Sequence, residues 1–313
     1  MKGLELSRAY FEEYGRPMLE RDFPQLLPFL AAGLTGSGSE CFGFDDDISQ
    51  DHDFEPGFCL FLPGEDIVDR RTAFLLERAY AKLPKEFCSL KRSLLQPAGG
   101  SRHGVIRIED FFKEKTGTPD GILSTEAWLR LPDQYLAEAT NGELYFDNYG
   151  EMTRIRRMLI RRPGDIKKKK LAGHLMLMAQ SGQYNYRRCL QHGESAAAQL
   201  AVFEFVKNAS AAIFLLNDAY QPYYKWSFRA LRGLAKLSIE AELMEYLLCS
   251  DNEPASREEK ANVIEGIVSD IIDELMEQRL TQAVCMDLEK HANSVNDSIS
   301  DGQLRNLNIL AAV

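Results

Sequence analysis

The chain is expected to be an α+β protein: a mixed sheet with helices over residues 1–150, then an all-α helical bundle over 151–313. Three observations predict this. A chain of 313 residues is longer than one hydrophobic core usually serves, so two domains are the prior. Short apolar or alternating runs bounded by Gly, Pro and Asn occur before about residue 150. Beyond that point strand signals vanish, and apolar residues recur every three to four positions.

Leu6, Tyr10, Phe11, Tyr14, Met18 and Leu19 recur at helical spacing, which predicts a helix over residues 5–23. FLAAGLTGSGSECFGF then reads as the entry to a small-residue turn. After the acidic loop Asp45-Asp46-Asp47, DHDFEPGFCLFLP reads as a strand broken by Pro56-Gly57. A second helix is expected over 67–83, and HGVIRIEDFF, 103–112, alternates as a strand should. TEAWLRLPDQYLAEAT reads as two helical pieces around Pro132, and NGELYFDNYG, 141–150, as a short strand framed by turn residues. From 151 onward seven segments, from MTRIRRMLIRR to TQAVCMDLEKHANSV, carry the apolar spacing of bundle helices.

Hydrophobic residues make up 45% and charged residues 27%, ordinary for a globular protein. The formal charge of −10 argues against a general nucleic-acid binder while leaving room for a local basic site. MKGLELSRAYFEEYGRPML has neither the apolar core nor the cleavage site of a signal peptide. No run reads as the ~18 apolar residues of a membrane span. Cytoplasm, with no membrane partner, is therefore the expected location. Cys41, Cys59, Cys88, Cys189, Cys249 and Cys285 are scattered, with no metal-ligand spacing, and read as free thiols.

The chemistry concentrates in residues 36–54. Glycines at 36 and 38 let a backbone approach phosphate closely, and the hydroxyls of Ser37 and Ser39 can donate to it. Asp51 and Asp53 are spaced i, i+2; on a strand they share one face, while His52 faces the other way. Two carboxylates on one face repel unless a cation lies between them. Magnesium suits such a pair because it completes its shell with water and phosphate oxygens, and two such ions are possible. Taken alone, an Asp-x-Asp in so acidic a stretch reads as a solvated loop; Asp45, Asp46 and Asp47 are spacer.

Gly-Ser, a spacer, then Asp-x-Asp followed by an apolar residue resembles the signature of the nucleotidyltransferase superfamily typified by DNA polymerase beta. LLNDAYQPYYKWSFRAL, 215–231, ahead of further helices, resembles the branch of antibiotic-modifying (aminoglycoside or kanamycin-type) nucleotidyltransferases and their uncharacterised bacterial relatives. The resemblance implies a nucleotidyltransferase-like first domain. It makes Gly36, Ser37, Gly38 and Ser39 the phosphate-binding turn, and Asp51 and Asp53 the paired metal ligands. It also implies a third carboxylate from a later strand, as ligand or base. Glu109 sits where that residue is expected; Asp110 and Asp147 compete for the role.

Asn217, Tyr220, Pro222, Tyr223, Tyr224, Lys225, Trp226 and Arg229 form a second cluster. Cations flanked by aromatics can hold phosphate while a ring stacks on a base, although alone the cluster reads as a helix start with core aromatics. The resemblance assigns Lys225 to the triphosphate and Tyr223 to the nucleotide. RIRRMLIRRPGDIKKKK, 154–170, is the strongest basic run. Such runs are most often solvated helix faces, and the other reading is a docking strip for an anionic acceptor such as RNA. Arg187 and Arg188 read as surface residues.

The expectation is a magnesium-dependent nucleotidyltransferase that moves a nucleoside monophosphate from ATP, or another nucleoside triphosphate, to a hydroxyl of a small-molecule or macromolecular acceptor. The alternatives are a nucleotide-binding regulator without turnover and an RNA-modifying nucleotidyltransferase.

Overall fold

The computed structural model describes residues 1–46, 48, 55–92 and 103–313. The chain divides into two compact units, Met1–Leu123 with Pro132–Arg161, and Ser124–Leu131 with Arg162–Val313. Relative to a division at 150, the helix after the last strand groups with the first unit, and a short earlier helix groups with the second.

The first unit opens with α1 (Gly3–Tyr10), a π-helical turn over Phe11–Gly15, and α2 (Arg16–Asp22). The run follows the apolar spacing, and its one-residue drift coincides with Gly15, where an added Cβ would strike the Phe58 ring. Then come β1 (Ala31–Leu34), β2 (Cys59–Leu62), α3 (Arg70–Ala81), a small hairpin of β3 (Glu86–Phe87) and β4 (Leu90–Lys91), β5 (Gly104–Arg107) and α4 (Ile108–Thr116). α5 (Thr125–Arg130) lies in the second unit. α6 (Asp133–Thr140), β6 (Glu143–Asp147) and α7 (Glu151–Ile160) complete the first.

The main sheet runs β5-β2-β1-β6. β1 is antiparallel to both neighbours, β2 and β5 are parallel, and the sheet is therefore mixed, as expected. β1 itself was expected as part of a turn. Its Ala-Ala-Gly-Leu sequence has weak strand propensity, but all four residues are buried between two partners. A Cβ on Gly33 would run into the Glu143 carbonyl, so the smallness of β1 serves close packing against β6. Tyr10, Phe11, Phe58, Leu60 and Leu62 form the core with Leu76 and Tyr80 of α3. The Tyr80 hydroxyl donates to the Phe58 carbonyl (2.8 Å) and accepts from the Phe58 amide (3.1 Å), which fixes the start of β2.

One further reading is corrected. The segment 103–112 is a strand only to Arg107; Ile108 begins α4, so Glu109 lies in a helix's first turn and is exposed. Its acidic Glu109 and Asp110 suit that end of the helix dipole. The two pieces around Pro132 form as expected, and among the described residues no strand follows Asp147.

The second unit contains α5, α8 (Gly164–Met178), a π-helical segment Ala179–Tyr186, α9 (Arg187–Gln191), α10 (Ser195–Leu216), α11 (Tyr224–Leu231), α12 (Glu240–Cys249), α13 (Pro254–Glu277), α14 (Leu288–Asp297) and α15 (Gly302–Asn306). Its core joins Leu171, Leu175, Val202, Phe205, Ile213, Met244, Ile267 and Ile271. α10 is long and apolar enough to cross a membrane, with a mean hydropathy of 1.4 over its best window, contrary to the expectation that no run reaches that length. In this structure Ala198, Val202, Phe205, Ala209 and Ile213 are buried in the bundle core.

The lysine run at 167–170 is not a uniform solvated face. Lys169 is fully buried, and its ammonium donates to Asn296 Oδ1 (2.8 Å) and to the carbonyls of Leu307 (2.7 Å) and Arg305 (3.3 Å). Lys170 donates to the Leu131 carbonyl (3.1 Å) and Lys168 to that of Ser298 (2.8 Å), while Lys167 pairs with Asp218 (2.6 Å). These amines tie α8 to α5 and to the C-terminal segment. Lys169's pKa falls, because burial disfavours its charged form.

Candidate functional site

At the C-terminal end of β1 the chain leaves the sheet at Thr35 and turns through Gly36, whose φ of 129° disfavours any other residue. Gly36 is buried, and among the described residues nothing outside its chain neighbours lies within 4 Å of where its Cβ would be. Ser37 is exposed at its tip, and Ser39 leads into a short 3-10 turn over Glu40–Phe42, closed by Gly43 at φ 69°.

Asn141 holds this turn. Its side-chain oxygen accepts from the Gly36 amide (2.9 Å), and its side-chain nitrogen donates to the Gly36 carbonyl (2.7 Å). The amide thus replaces a strand partner just where β1 ends. The Thr35 hydroxyl donates to the Asn141 carbonyl (3.0 Å), and the Gly142 amide to the Cys41 carbonyl (2.8 Å). Behind Asn141, Arg156 of α7 donates to the Thr140 carbonyl (2.7 Å) and to that of Asn141. In the sequence Asn141-Gly142 marked a turn; nothing local to it signalled a grip on residues more than 100 positions earlier.

Gly38 has a different role from Gly36. The Glu40 carboxylate lies against it, where any Cβ would clash, and the Ser39 hydroxyl reaches the same carboxylate at 3.5 Å. Glu40 is 7% exposed, so a buried negative charge lies at one side of the turn. Asp45, expected as spacer, is 3% exposed and accepts from the Gly3 amide at the start of α1 (2.9 Å).

Strand direction decides which carboxylates share an end of the sheet with this turn. β1 pairs with β6 so that Leu34 faces Glu143 and Ala31 faces Asp147. Glu143 is therefore at the turn end. Arg8 of α1 grips its carboxylate, with Nε 3.4 Å from Oε2 and Nη2 on Oε1, and the same guanidinium lies 4.9 Å from the Tyr145 ring centroid. The ion pair holds the Arg8 pKa above its ordinary value, mainly through the hydrogen bond to Glu143. The Tyr145 hydroxyl donates to Ser7 (2.6 Å), which donates to the Gly57 carbonyl (2.6 Å). Glu55 pairs with His103 at 3.6 Å, just ahead of β5 at this same end.

Glu109 is at the other end. β5 runs parallel to β2 with Arg107 beside Leu62, and β2 runs antiparallel to β1 with Phe61 beside Ala31. Glu109 follows Arg107, and its carboxylate lies near Gly64, beyond the end of β2. Six residues of extended chain separate the level of Leu30 from Gly36, roughly 20 Å. Asp147 is at that far end too. Its two carboxylate oxygens accept from the Gly150 (2.8 Å) and Thr153 (2.7 Å) amides, so it caps α7. Gly36, Ser37, Gly38 and Ser39 therefore share their end of the sheet with Glu143, and not with Glu109 or Asp147.

Asp51, His52 and Asp53 lie outside the described residues. Lys225 and Tyr223 lie in the second unit. Lys225 is exposed, with its amine 5.0 Å from the Trp226 ring centroid, and Tyr223 is exposed against Tyr224, ring centroids 4.3 Å apart. Arg162 lies over Tyr220 at 4.5 Å, and the Gln221 amide donates to Ser210 and Ser227. Arg187 is exposed and pairs with Glu258 at 3.4 Å, and Arg188 donates to the Tyr184 hydroxyl (3.0 Å). Among the described residues no group of three or more His, Cys, Asp and Glu side chains is placed to hold a metal ion.

A family model described as "Domain of unknown function (DUF4037)" matches residues 128–227. No curated protein matches the chain. Among solved structures, the chain is similar to a nucleotidyltransferase-like protein from Exiguobacterium sibiricum 255-15, at 12% identity and a TM-score of 0.37, over 92% of this chain and 90% of that one.

Proposed function

We propose that the chain is a nucleotidyltransferase whose nucleoside triphosphate binds at the Gly36 end of the sheet. One observation carries this reading: a Gly-Ser turn at the end of β1, with Gly36 clamped by Asn141 and Ser37 exposed. A fixed turn with an exposed Ser37 offers backbone and hydroxyl donors to phosphate without reorganisation, which is where phosphoryl transfer gains most.

Asp51 and Asp53 supply the donor chemistry that fits magnesium. Bound there, magnesium would neutralise the phosphates and the leaving pyrophosphate. Ser37 would donate to a phosphate oxygen. The proton of the acceptor hydroxyl would pass to Glu143, which Arg8 holds in one orientation. This replaces Glu109 in that role, because Glu109 stands at the opposite end. The resemblance alone carries the proposal of Lys225 and Tyr223 as nucleotide contacts. The likeness of 215–231 to antibiotic-modifying enzymes extends the proposal to a small hydroxyl-bearing acceptor.

The test is incubation with labelled ATP and magnesium across a panel of hydroxyl acceptors, reading pyrophosphate release. Wild type should release it, and Asp51→Ala should release at least about a hundredfold less, the scale of losing transition-state charge stabilisation. Equal release from the two proteins would sink the assignment.

A second reading, a nucleotide-binding regulator, is favoured by the buried Glu40 carboxylate at Gly38, which puts negative charge beside a phosphate turn. Calorimetry with a non-hydrolysable ATP analogue separates the two. Tight magnesium-dependent binding with no turnover selects the regulator, and no binding removes both.

A further inference from the structure

The far end of the sheet carries a basic groove that the proposed reaction does not use. Asp147, Gly150, Thr153, Arg154, Arg157 and Arg161 line it together with Met158, around a cavity of about 670 Å³. Arg154, Arg157 and Arg161 lie three and four residues apart and share one exposed face of α7 and its end. The seven-position step from Arg154 to Arg161 corresponds to roughly 10 Å along a helix.

Three arginines and one carboxylate are the charged residues that line the groove. Asp147 accepts two backbone amides at the start of α7, and Glu151 is taken by Arg154 at 2.7 Å, with Asp120 acting on the same two side chains. Arg157 and Arg161 form no ion pair among the described residues. Like charges four apart on a helix face are mildly destabilising, and this pair stands uncompensated in a chain of net charge −10. A concave cationic site on an acidic protein concentrates anions there. Guanidinium groups match phosphate through paired hydrogen bonds.

We propose that this groove binds a small ligand carrying phosphate groups, with Arg157 and Arg161 as its main contacts. Two observations favour a compact ligand over a polynucleotide. The volume is that of a small-molecule site. The basic run does not continue as a track either, because Lys167 to Lys170 are engaged inside the second unit and no aromatic ring lines the groove for base stacking. The inference does not rest on the nucleotidyltransferase reading, whose turn lies at the other end of the sheet.

The test is titration of the full chain with pyrophosphate in the presence of a metal chelator, followed by calorimetry. Withholding magnesium silences the proposed nucleotide end. Wild type should bind saturably, and Arg157→Ala/Arg161→Ala should weaken binding by roughly tenfold or more, the loss expected for charge-assisted contacts. Arg21→Ala, an exposed arginine elsewhere in the first unit, should bind as wild type does. Unchanged thermal melting of the double variant would show that the fold persists. No saturable binding by wild type, or equal affinity in the double variant, overturns the proposal. So does binding of a short single-stranded RNA, abolished in the double variant, without binding of pyrophosphate; that outcome would point to a polynucleotide backbone instead.

Discussion

The two ends of the four-stranded sheet differ in how their polar residues are employed. At the Gly36 end, Asn141 and Arg8 hold a turn and a carboxylate in place while leaving Ser37 exposed. At the far end Asp147 caps α7, and Glu109 lies in the first turn of α4. One end holds a clamped turn with an exposed serine. The other presents arginines around a groove. The lesson is that strand direction, not spacing along the chain, decides which carboxylate can serve a phosphate turn.

The comparison can be broken by substitutions at each end. Asn141→Ala removes both hydrogen bonds to Gly36 and should have the largest effect on stability. A loss of about 1–3 kcal/mol is expected for half-buried amide bonds left unmade, read as a lower denaturant midpoint, with weakened ATP binding. Unimpaired ATP binding would show that the turn does not depend on its clamp. Asp147→Ala should cost about 1 kcal/mol through lost capping and leave ATP binding unchanged, which would confirm that the far end is structural with respect to the nucleotide. Impaired ATP binding in that variant would erase the distinction between the ends.

A pH-dependent effect lies outside the sheet. Glu240 is fully buried, and its pKa is pushed up to about 7, first by burial and then by the nearby Asp270 carboxylate. The folded state therefore holds a proton that the unfolded state releases near pH 4.5. Its contribution to stability is present below that pH and declines as pH rises towards 7. Melting temperature should fall over this window, and Glu240→Gln should flatten the fall. An identical slope in the variant would contradict the assignment.

Much of the architecture was legible in the sequence because burial imposes a period. The first helical run, the helices either side of Pro132, β6 and the helical second half all follow apolar spacing. β1 was not legible, since Ala-Ala-Gly-Leu shows neither alternation nor β-branching, and its strand character comes from two neighbours far along the chain. The end of β5 was misjudged because Ile106 and Ile108 continue an alternation into a helix. Of the candidate site, the Gly36–Ser39 turn was readable from residue type. Asn141 and Glu143 were not, because their roles follow from the register of β6 on β1, which no local pattern encodes. The basic run misled for the same reason: Lys169 reads as surface charge, but Asn296 and two carbonyls enclose it.

The central claim is that the reaction takes place at the Gly36 end, with Glu143 rather than Glu109 as the acceptor's base. The direct measurement is the pyrophosphate release rate of Glu143→Gln beside that of Glu109→Gln, with ATP, magnesium and an active acceptor. The account predicts a loss of about a hundredfold or more for Glu143→Gln, the scale of removing a general base, and a rate within twofold of wild type for Glu109→Gln. The reverse order, with Glu109→Gln inactive and Glu143→Gln unimpaired, would contradict it.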